Sequence, residues 1–523
     1  MQYQRYRDWT EHQVLLDADE FITKYELHDL RDILRKGALL AHDPTNASYA
    51  EGLTREPPIL ANTIAARPSS IQRVLQCVLF VVAAGACGMM APGYLIDEYD
   101  PDSIQWIYVM PYLAGCIFTA LLSRFLTSHK IMLAFGVIGL IRPLVEALCL
   151  GYYSRMQVFV YKSSFIGLGA VQTCTAPIYL AEISEPWLRN YLISAWIAIV
   201  SMISTLGSRL ESTTPLTLVS PLLFLATMMT SWESPYPLIS RGQMRHAYRS
   251  LRSLRPSDLA AARDLFRIHH HLEINGQGVR QRISSWRPLC SIQTCRALLR
   301  LFVFLLAFVL MRFQYDSQVG MLVQMTLDQR LFSFPFALIF IFFVMRAMKK
   351  FGLRSVFVGT ILLDLVTIWV LNLRNMWDVL GSEPAGLVPQ VMWKTALVTM
   401  SVGSFSPEHR EFGVSVMSLF FYGSILLVEL LAKAHVYSIS NRLFGVLDVA
   451  ALILVTMFTI DISAFSLEEI QTKVAMPLDK VASYRVRVEL PYLFNRYCLR
   501  RDVELVPLDE YHPCFDEIAL GEA

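Results

Sequence analysis

The residues of this sequence with chemistry to offer are charged side chains set inside long apolar runs. Arg142 and Glu146 stand four apart in one such run. Arg312 and Asp316 repeat the spacing in another, with Gln314 and Gln318 beside them. Glu429 and Lys433 do the same near the end of a third. Four residues are about one helical turn, so each pair shares a face. An ionisable group in mid-span is expensive and by default marks a functional site. The competing reading is mutual neutralisation that holds helices in register. For Glu429 and Lys433, close to a run end, snorkelling to the interface is a sufficient account. Lys162 is a further charge within an apolar run, and Asp364 and Lys394 are isolated ones.

Other constellations offer less. His269, His270 and His271 are adjacent and cannot share one helical face, so no metal site is expected; a helical site uses a four-residue spacing. No P-loop, nucleophile elbow or Ser/His/Cys catalytic grouping stands out, which argues against ATP-driven transport and against an enzyme, and no cofactor is called for. Nine cysteines are scattered without a C-x-x-C. Cys77, Cys87, Cys116, Cys149 and Cys174 lie in apolar runs, where a free thiol behaves as a small hydrophobe, so no disulfide framework is expected.

The elements that must carry these charges follow from composition. The chain has 523 residues, 54% of them hydrophobic and 17% charged, and its mean hydropathy is +0.42. Soluble domains carry about 25% charged residues. Disorder is therefore excluded as the main state. So is a nucleic-acid partner: 46 Lys and Arg against 44 Asp and Glu leave +2, far from a phosphate-binding surface. A spanning helix needs about 20 apolar residues. Twelve such spans are predicted, at 73–96, 104–124, 130–152, 157–180, 190–208, 215–231, 299–321, 331–349, 354–373, 385–404, 412–434 and 442–461. The organisation is a cytosolic N-terminal segment (1–72), a six-helix bundle (73–231), a cytosolic helical connection (232–298), a second six-helix bundle (299–461) and a cytosolic C-terminal tail (462–523). The predicted class is an all-α polytopic membrane protein, with a solute site between two bundles near the midplane.

Basic residues in the connections set the orientation. Arg124 and Lys130, Arg189, Arg346, Lys349, Lys350 and Arg354, and Arg410 fall after spans two, four, eight and ten. Arg241, Arg245, Arg249, Arg252 and Arg255 fall in the long connection, whereas the first outer connection carries Asp97, Glu98, Asp100 and Asp102. Arg374 and Arg442 weaken the contrast without reversing it. Both termini are thus expected in the cytosol, and the sequon at Asn46 is expected to stay unglycosylated. Within 241–273, Ala247, Leu251, Leu254, Leu259 and Leu265 recur at helical spacing among arginines. A solvated amphipathic surface helix is expected, with anionic lipid headgroups as the alternative partner.

Span four ends Pro177-Ile178-Tyr179-Leu180-Ala181-Glu182-Ile183-Ser184 and is followed by Leu188-Arg189. Glu233-Ser234-Pro235 follows span six, with Gly242, Ala247, Leu251, Leu254 and Arg255 behind it. Pro407, His409-Arg410-Glu411 and Gly413 precede span eleven. Asp29-Leu30-Arg31-Asp32 stands near the front, and Leu493-Phe494-Asn495-Arg496-Tyr497 in the tail. In this order, along residues 25 to 510, these fragments resemble the sugar porters of the major facilitator superfamily, in their fungal branch, at the family's offsets. The resemblance implies that Glu182, Arg189, Glu233 and Arg410 form a cytosolic latch of ion pairs, which must be modest if the bundles are to rock. Partly exposed pairs of about 0–1 kcal/mol each would suit that role; solvated charges at helix ends are the plainer reading. It also implies that span seven lines the central cavity, which makes Arg312, Gln314, Asp316 and Gln318 the expected substrate contacts.

The departures bear on function. Met90 stands where proton-coupled members carry an Asp. The acidic-glycine-basic turn after span two is absent at Ser128-His129-Lys130. Its counterpart after span eight survives only as Lys349-Lys350-Phe351-Gly352-Leu353-Arg354. Gly167 and Gly169 are ten and eight residues before Pro177, out of register with the family's glycines. Ile197 replaces a sugar-contacting Gln, Ser404 replaces a glutamate, and Thr459-Ile460-Asp461-Ile462 replaces the P-E-T-K before the tail. The expected function is facilitative transport of a small polar solute, a sugar or polyol or a related compound, by a monomer in contact with membrane lipid, in the plasma membrane. The alternative is a porter-like protein that no longer transports.

Overall fold

The computed structural model describes residues 9–43, 101–149, 155–207, 214–274, most of 294–307, parts of 342–362, 397–433 and 441–461, and most of 465–508. The span expected at 73–96, and most of those at 299–321, 331–349, 354–373 and 385–404, lie outside these residues, and with them Arg312, Gln314, Asp316 and Gln318. Among the described residues the regular structure is helical throughout.

Long apolar helices occupy the places that the hydropathy predicts. They are α3 (Pro101–Leu122), α4 (Ser128–Cys149), α5 (Arg155–Ile183), α6 (Pro186–Gly207), α7 (Thr214–Thr230), α11 (Arg410–Lys433) and α12 (Asn441–Phe458). Each end falls within a few residues of its predicted span. At 1.5 Å per residue, the 22 residues of α3 rise about 33 Å, the thickness of a bilayer core. Taken over the described residues alone, no helix is long and apolar enough to cross a membrane; the side chains of parts of these helices fall outside that set. Hydroxyls in these helices bond back to their own backbone: Thr119 to the Gly115 carbonyl (2.8 Å), Thr175 to Val171 (2.9 Å) and Ser415 to Glu411 (2.7 Å). Such bonds satisfy a polar group where water is absent.

Two compact units result, one of residues 1–286 with 405–423, the other of 287–404 with 424–523. The first half of α11, predicted within the second bundle, thus packs in the first unit. There α3 and α5 approach closely, because a Cβ at Gly115 would overlap the Gly167 carbonyl oxygen. Gly167, out of register by the family pattern, is therefore still a contact glycine. On the same unit, α1 (Glu11–Lys24) and α2 (Arg31–His42) join α8 (Pro235–Ser240), α9 (Met244–Leu254) and α10 (Asp258–Ile274). Thr10 and Gln13 form a reciprocal capping box at the start of α1, which satisfies two otherwise orphaned amides.

The expectation of a solvated helix at 241–273 is corrected here. Ala247, Leu251 and Leu265 are fully buried, as are Ala261 and Ala262. Gly37 of α2 lies so close to Ala262 that a Cβ there would come within 2.7 Å of it. Phe21 of α1 meets Phe266 and His269, with ring centroids 5.3 and 4.6 Å apart. Asp29 pairs with Arg245 (2.8 Å) and Lys24 with Glu273 (2.9 Å). The terminal segment and the connection, separate in sequence, share one core.

The second unit carries an ordered tail. Helix α13 (Leu467–Val474) is capped by Arg300, whose guanidinium donates to the carbonyls of Lys473, Val474 and Met476 at 3.2, 2.8 and 2.9 Å. Gly352 has φ +84°, and a Cβ there would overlap the Asp461 carboxylate. Beyond α13, α14 (Leu478–Tyr484), a π turn (Arg485–Glu489), α15 (Leu490–Leu493) and a second π turn (Phe494–Cys498) form one continuous helical rod.

Candidate gating site at the helix ends

Glu182 lies one residue before the end of α5, and Arg410 is the first residue of α11. The fold brings them together: Arg410 Nη1 donates to Glu182 Oε1 at 2.6 Å. The side chains are 1% and 4% exposed, Arg410 and Glu182 respectively. The other carboxylate oxygen, Oε2, accepts the Ser234 hydroxyl at 2.5 Å. The Arg410 guanidinium lies over the Tyr236 ring, 5.0 Å from its centroid. Tyr179 donates to the Trp232 carbonyl at 2.7 Å, fixing the last turns of α5 against the segment that follows α7. The expectation of partly exposed, modest pairs does not hold for Glu182 and Arg410, because the helix ends around them leave no access to water.

Glu233 and Arg189 stand differently. Glu233 faces Arg241 at 4.0 Å, with both about a third exposed. Arg189 is buried near the start of α6, its backbone N–H donating to the Glu185 carbonyl at 3.0 Å. Three residues outside the predicted latch belong to the same region. Glu411 is buried, and its Oε1 accepts the Ser128 amide at 3.3 Å, at the N-terminus of α4. A carboxylate there complements the helix dipole, where the acidic turn after span two is absent. Arg255 reaches back to the Ile183 carbonyl at 3.1 Å and to Asp264 at 2.5 Å. Burial raises the Asp264 carboxyl, but Arg263 and Arg255 outweigh it and bring it to about 2. Arg255 and Glu411 were visible in the sequence as motif matches; Asp264 had no signal beyond its helix.

Next to this region, α11 seals a small buried cluster. Cys116 and Cys174 lie with sulfurs 3.8 Å apart and are fully buried with Ala170, under Tyr112, Leu419 and Tyr422. Tyr112 and Tyr422 have ring centroids 4.5 Å apart. Ser415 and Ser418 of α11 lie beside Cys174. Arg142 and Glu146 both fall within α4, four residues apart and on one face. Their side chains lie outside the described residues, as do the expected substrate contacts of span seven.

No protein-family model matches the chain, and no curated protein is significantly similar to it in sequence. Solved structures are similar in fold. The proton:xylose symporter XylE of the major facilitator superfamily, bound to 6-bromo-6-deoxy-D-glucose, superposes with a TM-score of 0.57 at 16% identity, over 77% of this chain and 99% of that one. A double-tryptophan variant of XylE, a transporter from E. coli, gives 0.60 at 16% identity over the same shares. This chain has the major facilitator superfamily fold. That fold implies an integral multi-pass membrane protein, and the site described above lies where the C-terminal end of α5 packs beside the N-terminal end of α11.

Proposed function

We propose that the protein is a secondary transporter that moves a small polar solute across the membrane by alternating access, without enzymatic activity, with sugars and polyols the first compounds to test. The buried Glu182–Arg410 pair carries this reading. It couples an end of α5 to the start of α11, elements that the sequence assigns to different bundles, and a change of access requires such a contact to form and break. With Ser234, Tyr236, Arg189 and Glu233, the pair is the latch. The fold likeness to XylE and the fragments shared with fungal sugar porters support a sugar-porter-like transporter in the plasma membrane with cytosolic termini. Arg312, Gln314, Asp316 and Gln318 remain the proposed solute contacts.

Transport is facilitative in this proposal. A proton-coupled porter needs a carboxylate whose pKa burial can bring within reach of ambient pH. The first predicted span, 73–96, contains no Asp or Glu. Glu146 and Asp316 each stand four residues from an arginine in the sequence, a partner that a proton carrier would have to give up. Uptake of labelled hexoses, polyols and organic acids by a transport-deficient host tests the proposal. Initial uptake is expected to survive a protonophore. Concentrative accumulation abolished by that protonophore would overturn the facilitative mechanism, and no uptake of any compound by a well-expressed, surface-localised protein would favour the transport-inactive alternative.

A further inference from the structure

The C-terminal rod presents an apolar stripe that none of the described residues of its own unit covers. Val486, Leu490 and Phe494 are 54%, 49% and 57% exposed, and Leu493 and Leu499 are 40% and 47% exposed. Cys498, also exposed, continues the line of Val486, Leu490 and Phe494. These positions are spaced by four. In a plain α-helix a four-residue spacing drifts by about 40° per step. The π turns at Arg485–Glu489 and Phe494–Cys498 are wider and rotate less per residue, which holds the stripe on one side.

Charge on the rod is mostly basic, with Asp479 the exposed acid near its start. Between 485 and 501 there are five arginines, Arg485, Arg487, Arg496, Arg500 and Arg501, and one acid, Glu489. Glu489 is taken up internally by Arg354 (2.7 Å) and Arg485. Burial raises its carboxyl, but the two arginines outweigh that and hold it below its usual range. Arg487, Arg496, Arg500 and Arg501 are exposed.

The depth of the rod is fixed by its anchors. Arg485 donates to the Thr459 carbonyl at 3.0 Å, and Arg354, itself bound to the rod through Glu489, donates to the Thr456 carbonyl at 3.1 Å. Thr456 lies in the last turn of α12 and Thr459 just after it. Carbonyls at a helix C-terminus lack intrahelical donors, and cations are favourable there. The rod is thereby tied to the end of the last membrane helix, at the level where hydrocarbon gives way to headgroups.

We infer that the rod 478–501 is an interfacial anchor whose apolar stripe enters the headgroup boundary while its arginines bind anionic phospholipid. An apolar face beside a basic one is the pattern of a helix lying in a membrane plane, and juxtamembrane arginines are drawn to an anionic leaflet. This inference rests on the membrane fold and is independent of whether transport is retained.

Native thiols supply the test. The full-length protein is reconstituted in nanodiscs of phosphatidylcholine alone or with phosphatidylserine, and alkylated with the uncharged reagent N-ethylmaleimide. Peptide mass spectrometry follows Cys498, with exposed Cys295 as the internal reference. Phosphatidylserine is expected to slow Cys498 by about tenfold relative to Cys295, the effect being electrostatic in origin. Replacing Arg487, Arg496, Arg500 and Arg501 together by Gln should remove the lipid dependence, and Leu490→Ser with Phe494→Ser should expose Cys498 in both lipids. Equal Cys498 rates in the two lipids would overturn the inference. So would protection that persists in detergent and grows with protein concentration, which would assign the stripe to a second copy of the chain.

Discussion

Glu182→Gln should release the start of α11. The substitution keeps the side-chain volume and an acceptor for Ser234, and removes only the charge. Two unit charges about 4 Å apart attract by about 4 kcal/mol at an effective dielectric of about 20. Removing one partner of a buried pair costs about 3–5 kcal/mol, because the other is left buried and uncompensated. Arg410, 1% exposed, would be that remaining charge. At about 1.36 kcal/mol per decade, a loss of 3–4 kcal/mol raises the undocked population by about 10² to 10³. Cys174 reads that population, since it is fully buried and covered by Leu419 and Tyr422 of α11. A thiol that reacts only through an opened form does so in proportion to the open fraction. Alkylation of the nanodisc-embedded protein is followed peptide by peptide, with Cys295 and Cys498 as references. Glu182→Gln and Arg410→Met should each accelerate Cys174 by about 10² or more, and the double variant should lie below the faster single variant. Cys174 rates within about twofold of the unaltered protein in both single variants, or effects that simply multiply in the double variant, would refute the reasoning.

Further expectations concern the rest of the molecule. Arg142→Ala or Glu146→Ala alone should lower the thermal stability of the solubilised protein, and the double change should recover much of it; additive losses would exclude the pair. Burial lowers His270 to about 4, so the unfolded chain takes up the proton first. The stabilisation is complete above about pH 6.5 and is lost as pH falls from there toward 4, at up to about 1.4 kcal/mol per pH unit. Proteolysis between α1 and α10 should therefore quicken between pH 6.5 and 4.5, and His270→Phe should flatten that slope. Tags at residues 1 and 523 should be inaccessible on intact cells, and a glycosidase-sensitive mass shift removed by Asn46→Gln would reverse the topology.

The helices follow from hydropathy alone. Apolar runs of bilayer length can satisfy their backbone in only one way, so the ends of α3 to α7, α11 and α12 were legible in hydropathy. Residue types also marked charges at these helix ends: Glu182, Arg189, Glu233 and Arg410 stood out by motif. Hydropathy does not report which of these charges meet, or how dry the meeting is. Only the tertiary structure joined Glu182 to Arg410 across 228 positions and left Glu233 in a loose surface pair. It also turned the amphipathic face of 241–273 inward, because the partner that covers it, α1 and α2, lies more than 200 residues earlier. A helical stripe shows that a face must be covered and does not show by what. The tail rod is the converse case: its arginines and leucines were plain in the sequence, but the ties from Arg485 to Thr459 and from Arg354 to Thr456 set its depth. Those ties depend on helix-end carbonyls, which every helix possesses and no side-chain pattern displays.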